Sequence, residues 1–256
     1  MCYDISYLTK RQIDYAKRYG KPEDVEEVRK RLPPVYHTNG FEHNEAPVVI
    51  SEDGPRLKIF EWGLMPYWSK SVEDAVKISN QTLNARGESI FSKPSFRYSA
   101  GKKRCLVLVD GFFEYHHHKG RAYPFFISRK DEEPFTLGGL WDEWNDRDNG
   151  IVRYSFSIVT TDANERMAYI HNNPIVLKRG GPRMPFIVPY DLEKAWLDHS
   201  LDKEEVLDLI KPYPVTELKD HTVKPLRGKF ASGNQPLAQE EYIYAELEVG
   251  DQGSLF

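Results

Sequence analysis

Cys105-Leu106-Val107-Leu108-Val109, running directly into Asp110-Gly111-Phe112-Phe113-Glu114, is the stretch whose reading decides the fold. Five consecutive apolar residues are the pattern of a buried strand. Strand-like runs recur on both sides of it. Pro47–Ser51 and Leu57–Met65 precede it, and runs near Tyr123–Ser128, Pro134–Trp141 and Val152–Thr161 follow, with a short one at Phe186–Val188. Thr9 to Arg31 is charged and helix-permissive, and Gly20-Lys21-Pro22 breaks it into two short helices. A further helix is expected from Asp162 to about His171, and others over Asp191–Leu197 and Lys203–Ile210. From Gly228 onward the chain is polar and expected to be irregular. No repeat and no linker divides it, and the strands are spread over the whole length. The reading is α+β, a single domain dominated by antiparallel sheet, with residues 2–227 as the domain and 228–256 as a polar tail.

Composition narrows the classes. A chain of 256 residues with 40% hydrophobic and 13% aromatic content can bury a substantial core and is not disordered. No apolar run approaches the roughly 18–20 residues of a membrane span. The first residues lack the charged, apolar and cleavage regions of a signal peptide, so a cytoplasmic location is expected. Two cysteines, Cys2 and Cys105, argue against a disulfide framework and against a cysteine-based zinc site. The net charge of −4 means that any site for a polyanion is a local patch.

Met1-Cys2 is the second stretch that matters. A residue as small as cysteine is one after which initiator methionine is normally clipped. Cys2 then carries an α-amine, with a reference pKa of about 7.7–8.0, beside a thiol near 8.5. Such a 1,2-aminothiol condenses with an aldehyde, the amine forming an imine and the sulfur closing a five-membered thiazolidine. By itself the dipeptide reads as an accident of sequence.

Seven motifs follow in order. They are Met1-Cys2; Trp62-Gly63-Leu64-Met65-Pro66-Tyr67-Trp68; Asn84-Ala85-Arg86-Gly87-Glu88; Arg104-Cys105 with Asp110-Gly111-Phe112-Phe113-Glu114-Tyr115; Gly139-Leu140-Trp141; Thr160-Thr161-Asp162-Ala163-Asn164; and Ile170-His171 with Arg183-Met184-Pro185. Together, over roughly residues 2–225, they resemble the SRAP family of SOS response-associated peptidases, or abasic-site-processing proteins. The resemblance implies a barrel-like, largely antiparallel β core with flanking helices. It also implies covalent capture of abasic sites in single-stranded DNA at replication forks, by a monomer without cofactor or metal. Cys2 would attack C1′ of the ring-opened deoxyribose. Glu114, at the end of the buried strand, would take protons from the amine or hold it. His171 would donate a proton to the ring oxygen as the sugar opens, or to the departing hydroxyl, and Asn84 would bind the sugar or orient the N-terminus. Read in isolation, Glu114 is a surface strand-end glutamate and His171 a structural histidine, and Asn84 is open to a turn or helix-cap role.

Arg86 and Arg183 lie in matching motifs and are expected to grip phosphates. Trp68 and Phe112 are expected to stack on bases flanking the lesion. Lys102-Lys103-Arg104 is a candidate extension of that patch. Two departures from the family pattern stand out: Asn172–Pro182 separates His171 from Arg183, and the Asn-Val-Ala-Pro segment common in the family is absent as such. His116-His117-His118, followed by Lys119-Gly120, reads as the approach to a hairpin turn and not as a metal site. Gln252-Gly253-Ser254-Leu255-Phe256 resembles a sliding-clamp-binding peptide, with Gln252, Leu255 and Phe256 as its anchors. Two other readings stay open: a cysteine peptidase using Cys2, His171 and Glu114 or Asn84, and a non-covalent single-strand binder.

Overall fold

The computed structural model describes residues 2–8, 20–178 and 180–248. In chain order its strands are β1 (Asp4–Tyr7), β2 (Val35–Asn39), β3 (Glu45–Ser51), β4 (Pro55–Trp62), β5 (Asn84–Arg86), β6 (Arg104–Val109) and β7 (Gly111–His118). They continue as β8 (Arg121–Arg129), β9 (Phe135–Asn145), β10 (Val152–Asp162), β11 (Arg183–Pro185), β12 (Ile187–Val188) and β13 (Leu218–Thr222). β6 is the all-apolar run. Hydrogen-bonded to β3 on one side and β9 on the other, it is buried along its whole length, which is why it carries no polar alternation.

Strands β10, β4, β3, β6 and β9 follow one another round a ring, and a long antiparallel β9–β10 pairing closes it. The β4–β10 seam is parallel, with Ser155 opposite Glu61, so the barrel is mixed. A closed ring leaves no unpaired edge. β5 and β11 extend β10 towards its C-terminal end, and β12 extends β9. The second sheet has the order β13-β8-β7-β1-β2. The expected α+β domain with a barrel-like, largely antiparallel core is what the chain forms.

One strand serves two cores. Along β7 successive side chains point to opposite faces. Phe112 packs edge-on to Phe135 in the main core, whereas Phe113 faces Phe126 in a smaller cluster with Val223, Leu226 and Ala238. Gly111 makes the entry into β7 possible, because a Cβ there would sit 2.4 Å from the Phe126 ring. The β7–β8 hairpin turns on Lys119 and Gly120, both with positive φ (47° and 78°), as a two-residue turn of the right twist demands.

Of the expected N-terminal helix pair, Pro22–Arg31 is present, and the first helix lies outside the described residues. The helix expected over Asp162–His171 is shorter, Glu165–Ile170. Asn164 starts it by accepting from the Met167 N–H at 2.8 Å, while Asp162 still belongs to β10. β1, β2, β5, β11 and β13 are not among the strands expected from the sequence. Residues 228–248 hold little regular structure, yet they are tied back to the domain. Asn234 accepts from the Tyr36 N–H at 2.7 Å, and Glu246 pairs with Arg121 at 2.9 Å. Among the described residues no helix is long and apolar enough to cross a membrane.

Candidate active site

The second sheet and the barrel meet where the chain begins. β1 runs antiparallel to β7 with Asp4 opposite Phe113, so the residues just ahead of β1 lie beside Glu114. Cys2 is 1% exposed, and its Sγ lies 3.8 Å from the Asp4 carbonyl. Asn84, the first residue of β5, donates from Nδ2 to the Cys2 carbonyl at 2.8 Å. Its Oδ1 is buried with no hydrogen-bond partner among the described residues. A carboxamide held at one end with an idle acceptor at the other is an arrangement that a ligand hydroxyl can complete.

Glu114 lies in the middle of β7, not at a strand end, and is buried. Its Oε1 accepts from the Tyr115 N–H at 3.0 Å, and its Oε2 lies 3.8 Å from His171 Nδ1. His171 follows the last turn of helix Glu165–Ile170, where its N–H donates to the Met167 carbonyl at 2.8 Å. The Arg183 backbone meets the imidazole through both its polar groups. Its N–H donates to Nδ1 at 3.1 Å, and its carbonyl lies 2.9 Å from the same nitrogen. A neutral ring therefore has a donor waiting, and a protonated one an acceptor.

Burial sets the charge states. It pulls the His171 pKa below the ordinary imidazole value, against the opposing pull of Glu114. It also pushes the Cys2 thiol far above its usual range, and the Glu114 carboxylate adds to that push. Near neutral pH the imidazole is neutral and the sulfur carries its proton. His171 is thus a proton acceptor first, and a donor only after it has been charged.

The two arginines that read alike in the sequence part company. Arg183 is buried and all five of its N–H donors are engaged. They meet Glu88 (3.1 and 2.7 Å), Asp162 (3.2 Å), the Thr160 hydroxyl (3.2 Å) and the Thr160 carbonyl (2.8 Å). The expected phosphate grip by Arg183 is corrected accordingly: with no donor left, its side chain clamps the segment whose backbone holds His171. Arg86, on β5, lies against the insertion, where a Cβ on Gly180 would come within 3.2 Å of its Nη1.

Phe112 is likewise corrected. It is 0% exposed and belongs to the core, so it is no platform for bases. Trp68 is on the surface. Of Lys102-Lys103-Arg104, Arg104 is buried and spent on the carbonyls of Trp196, Ala100 and Asp198, while Lys103 pairs with Asp142 at 2.9 Å. Only Lys102 of the three is exposed.

The insertion is anchored on β7. Asn172 accepts from the His117 N–H at 2.6 Å and donates to the His117 carbonyl at 3.0 Å, after which Pro174–Lys178 makes a short helix. A cavity of about 490 Å³ opens beside the Glu114–His171 pair, walled also by Tyr3, Tyr115, Asn173 and Arg227. Arg227, paired with the buried Asp4 at 2.9 Å, went unnoticed in the sequence because no motif contains it. Among the described residues no group of three His, Cys, Asp or Glu side chains could hold a metal ion. Gln252, Leu255 and Phe256 lie outside the described residues.

A family profile described as SOS response associated peptidase (SRAP) matches residues 1–229. The chain belongs to the SRAP family. This SRAP chain is 33% identical over 199 residues to "Abasic site processing protein YoqW" of Bacillus subtilis (strain 168), covering 75% of the chain and 81% of that protein. It is 31% identical over 235 residues to "Abasic site processing protein HMCES" of Gallus gallus, covering 79% of the chain and 66% of that protein. A crystal structure of a protein from Bacteroides thetaiotaomicron superposes with a TM-score of 0.83 at 34% identity, covering 94% of the chain and 100% of that structure. One from Bordetella bronchiseptica, at 21% identity and a TM-score of 0.71, shares the fold.

Proposed function

We propose that this SRAP protein captures abasic sites in single-stranded DNA covalently, through Cys2 once Met1 has been removed. The observation that carries the reading is the convergence of two pairs from four distant segments, Asn84 on the Cys2 carbonyl and Glu114 beside His171, with the Glu114 charge acting on the Cys2 thiol and a cavity opening beside Glu114 and His171. The names of its relatives supply the substrate class.

The chemistry balances without a cofactor. The freed Cys2 amine adds to C1′ of the ring-opened deoxyribose. The carbinolamine loses its hydroxyl as water, leaving an imine. The thiol then adds across that C=N bond, sulfur to carbon and proton to nitrogen, so that aldehyde plus aminothiol yields thiazolidine plus one water. Neutral His171 takes a proton from the attacking amine and returns it to the departing hydroxyl. The raised thiol keeps its proton until Glu114, the adjacent base, moves it during ring closure. Asn84 offers its idle Oδ1 to a sugar hydroxyl. Removing the imine by ring closure shuts the route to β-elimination and strand breakage.

The test is a denaturing gel of the des-Met protein incubated with single-stranded DNA carrying one abasic site. A shifted band that Cys2→Ala removes supports the proposal. Binding without a covalent band points to a simple single-strand binder, and cleavage of general peptide substrates to a peptidase.

A further inference from the structure

Opposite demands on solvent access mark a second surface, formed where the loop after β4 meets helix Arg97–Lys102. The loop is stiff. The Met65 N–H donates to the Ser155 hydroxyl at 2.7 Å, the Tyr67 N–H to Asp142 Oδ2 at 2.9 Å, and Trp144 Nε1 to the Ser69 carbonyl at 2.9 Å. Three anchors from β9 and β10 thus hold five residues, while Tyr67 and Trp68 are left 53% and 41% exposed. Tyr98, 47% exposed, comes from the helix to within 5.1 Å of the Tyr67 ring centroid. The second oxygen of Asp142 takes the Lys103 ammonium, which lies 4.8 Å from the Trp141 ring and 5.5 Å from that of Tyr98. One buried carboxylate therefore fixes both segments that present the aromatics.

Charge accompanies the rings. From Ser89 to Val109 the chain holds Lys93, Arg97, Lys102, Lys103 and Arg104 and not one Asp or Glu, although the protein as a whole is acidic. Lys93, Arg97 and Lys102 are exposed and have no carboxylate partner among the described residues. Exposed aromatic faces on an anchored loop and helix, with unneutralised cations alongside in the chain, are the physical makeup of a surface for single-stranded nucleic acid. Bases stack on the rings and phosphates meet the cations, with no need of sequence readout. Along β10, residue 155 pairs with Asp142 and residue 160 with Arg86, so the loop anchor stands about 16 Å from the Arg86 level at ~3.3 Å per residue.

We infer that Tyr67 and Tyr98, with Arg97 and Lys102, form a stacking platform for the intact single strand flanking the abasic site. This rests on the proposed function for its substrate class, but its test does not use the cross-link. Fluorescence anisotropy of a labelled single-stranded oligonucleotide of mixed sequence, free of abasic sites, is measured with native protein, Tyr98→Ala and Arg97→Gln/Lys102→Gln. All three positions are on the surface, so folding is not at stake. Tyr98→Ala is expected to weaken binding by about fivefold or more, the loss of one stacked base. The double variant should flatten the slope of log K against log salt by about 1.4, at ~0.7 per phosphate on a single strand. Native affinity retained within about twofold by both variants overturns the inference, as does binding of duplex DNA as tight as that of the single strand. Cross-linking that fails while these losses appear would sink the proposed chemistry and leave the platform standing.

Discussion

The candidate active site and the proposed aromatic platform handle solvent in contrary ways. Cys2, Glu114 and His171 are almost wholly withdrawn from water, and the pKa values of the first and last are displaced by that burial. Tyr67, Trp68 and Tyr98 are about half exposed, and the exposed Lys93, Arg97 and Lys102 have no carboxylate partner among the described residues. Proton transfer gains from a dry site, where fixed groups act through a low dielectric and need no rearrangement. Holding a polyanion requires accessible faces and charges whose counterions can be released. Substitutions in the first region are therefore expected to alter rate and pH dependence. Those in the second should alter affinity and salt dependence.

Cys2→Ala sharpens that division most, because it removes the thiol that closes the ring without touching the platform. Loss of the covalent band with single-strand affinity unchanged is the expected outcome, read by denaturing gel and anisotropy. A band that survives without reductive trapping means that the lasting bond does not need the Cys2 thiol. Next in size, Glu114→Gln should slow cross-linking by about 10²–10⁴-fold, the usual worth of a positioned acid–base group, again at constant affinity. An effect on affinity alone would assign the carboxylate to binding.

The same variant has a pH signature. Burial depresses His171 in the folded protein, and Glu114 works against that depression. The native ring is therefore favoured neutral. Its contribution to stability is complete above the unfolded value of about 6.5 and is lost as pH falls through the lower folded one. Taking away the Glu114 charge removes the opposing pull. The NMR titration of His171 and the acid limb of the rate profile should then both move to lower pH. A limb that moves upward or stays in place would uncouple the two groups.

Phe112→Ala and Glu88→Ala probe the two corrected residues. Phe112 is a fully buried core ring, so its truncation should cost about 3–5 kcal/mol of stability, by denaturant melt, with single-strand affinity unchanged in the folded fraction. Glu88→Ala removes two of the contacts made by the buried Arg183 guanidinium. A loss of about 1–3 kcal/mol is expected, together with a broadened or shifted His171 resonance. Unaltered His171 would mean that the Arg183 clamp does not hold the imidazole.

Much of this was legible in the sequence, for identifiable reasons. The β6 run announced itself because a strand flanked on both sides needs no polar face, and Lys119-Gly120 because a two-residue hairpin needs positive φ. The candidate quartet stands out only through ordered motifs, since Asn84, Glu114 and His171 are each unremarkable alone. What stayed hidden depends on tertiary pairing. β1, β2 and β13 are short strands recruited by their neighbours, and the role of Arg183 is set by carboxylates at Glu88 and Asp162, 95 and 21 residues away in the chain. Phe112 and Phe113 are indistinguishable in composition, and only the β7 register decides which core each one enters. Arg227 is brought beside Asp4 across 223 residues, a pairing that no local pattern encodes.

Intact mass spectrometry of the purified adduct tests the central claim most directly. The account predicts the mass of the chain without Met1 plus the oligonucleotide minus one water, with the modification on the N-terminal Cys2 peptide and its thiol no longer alkylatable. An adduct on a chain that retains Met1, or one whose Cys2 thiol still reacts with an alkylating agent, contradicts it.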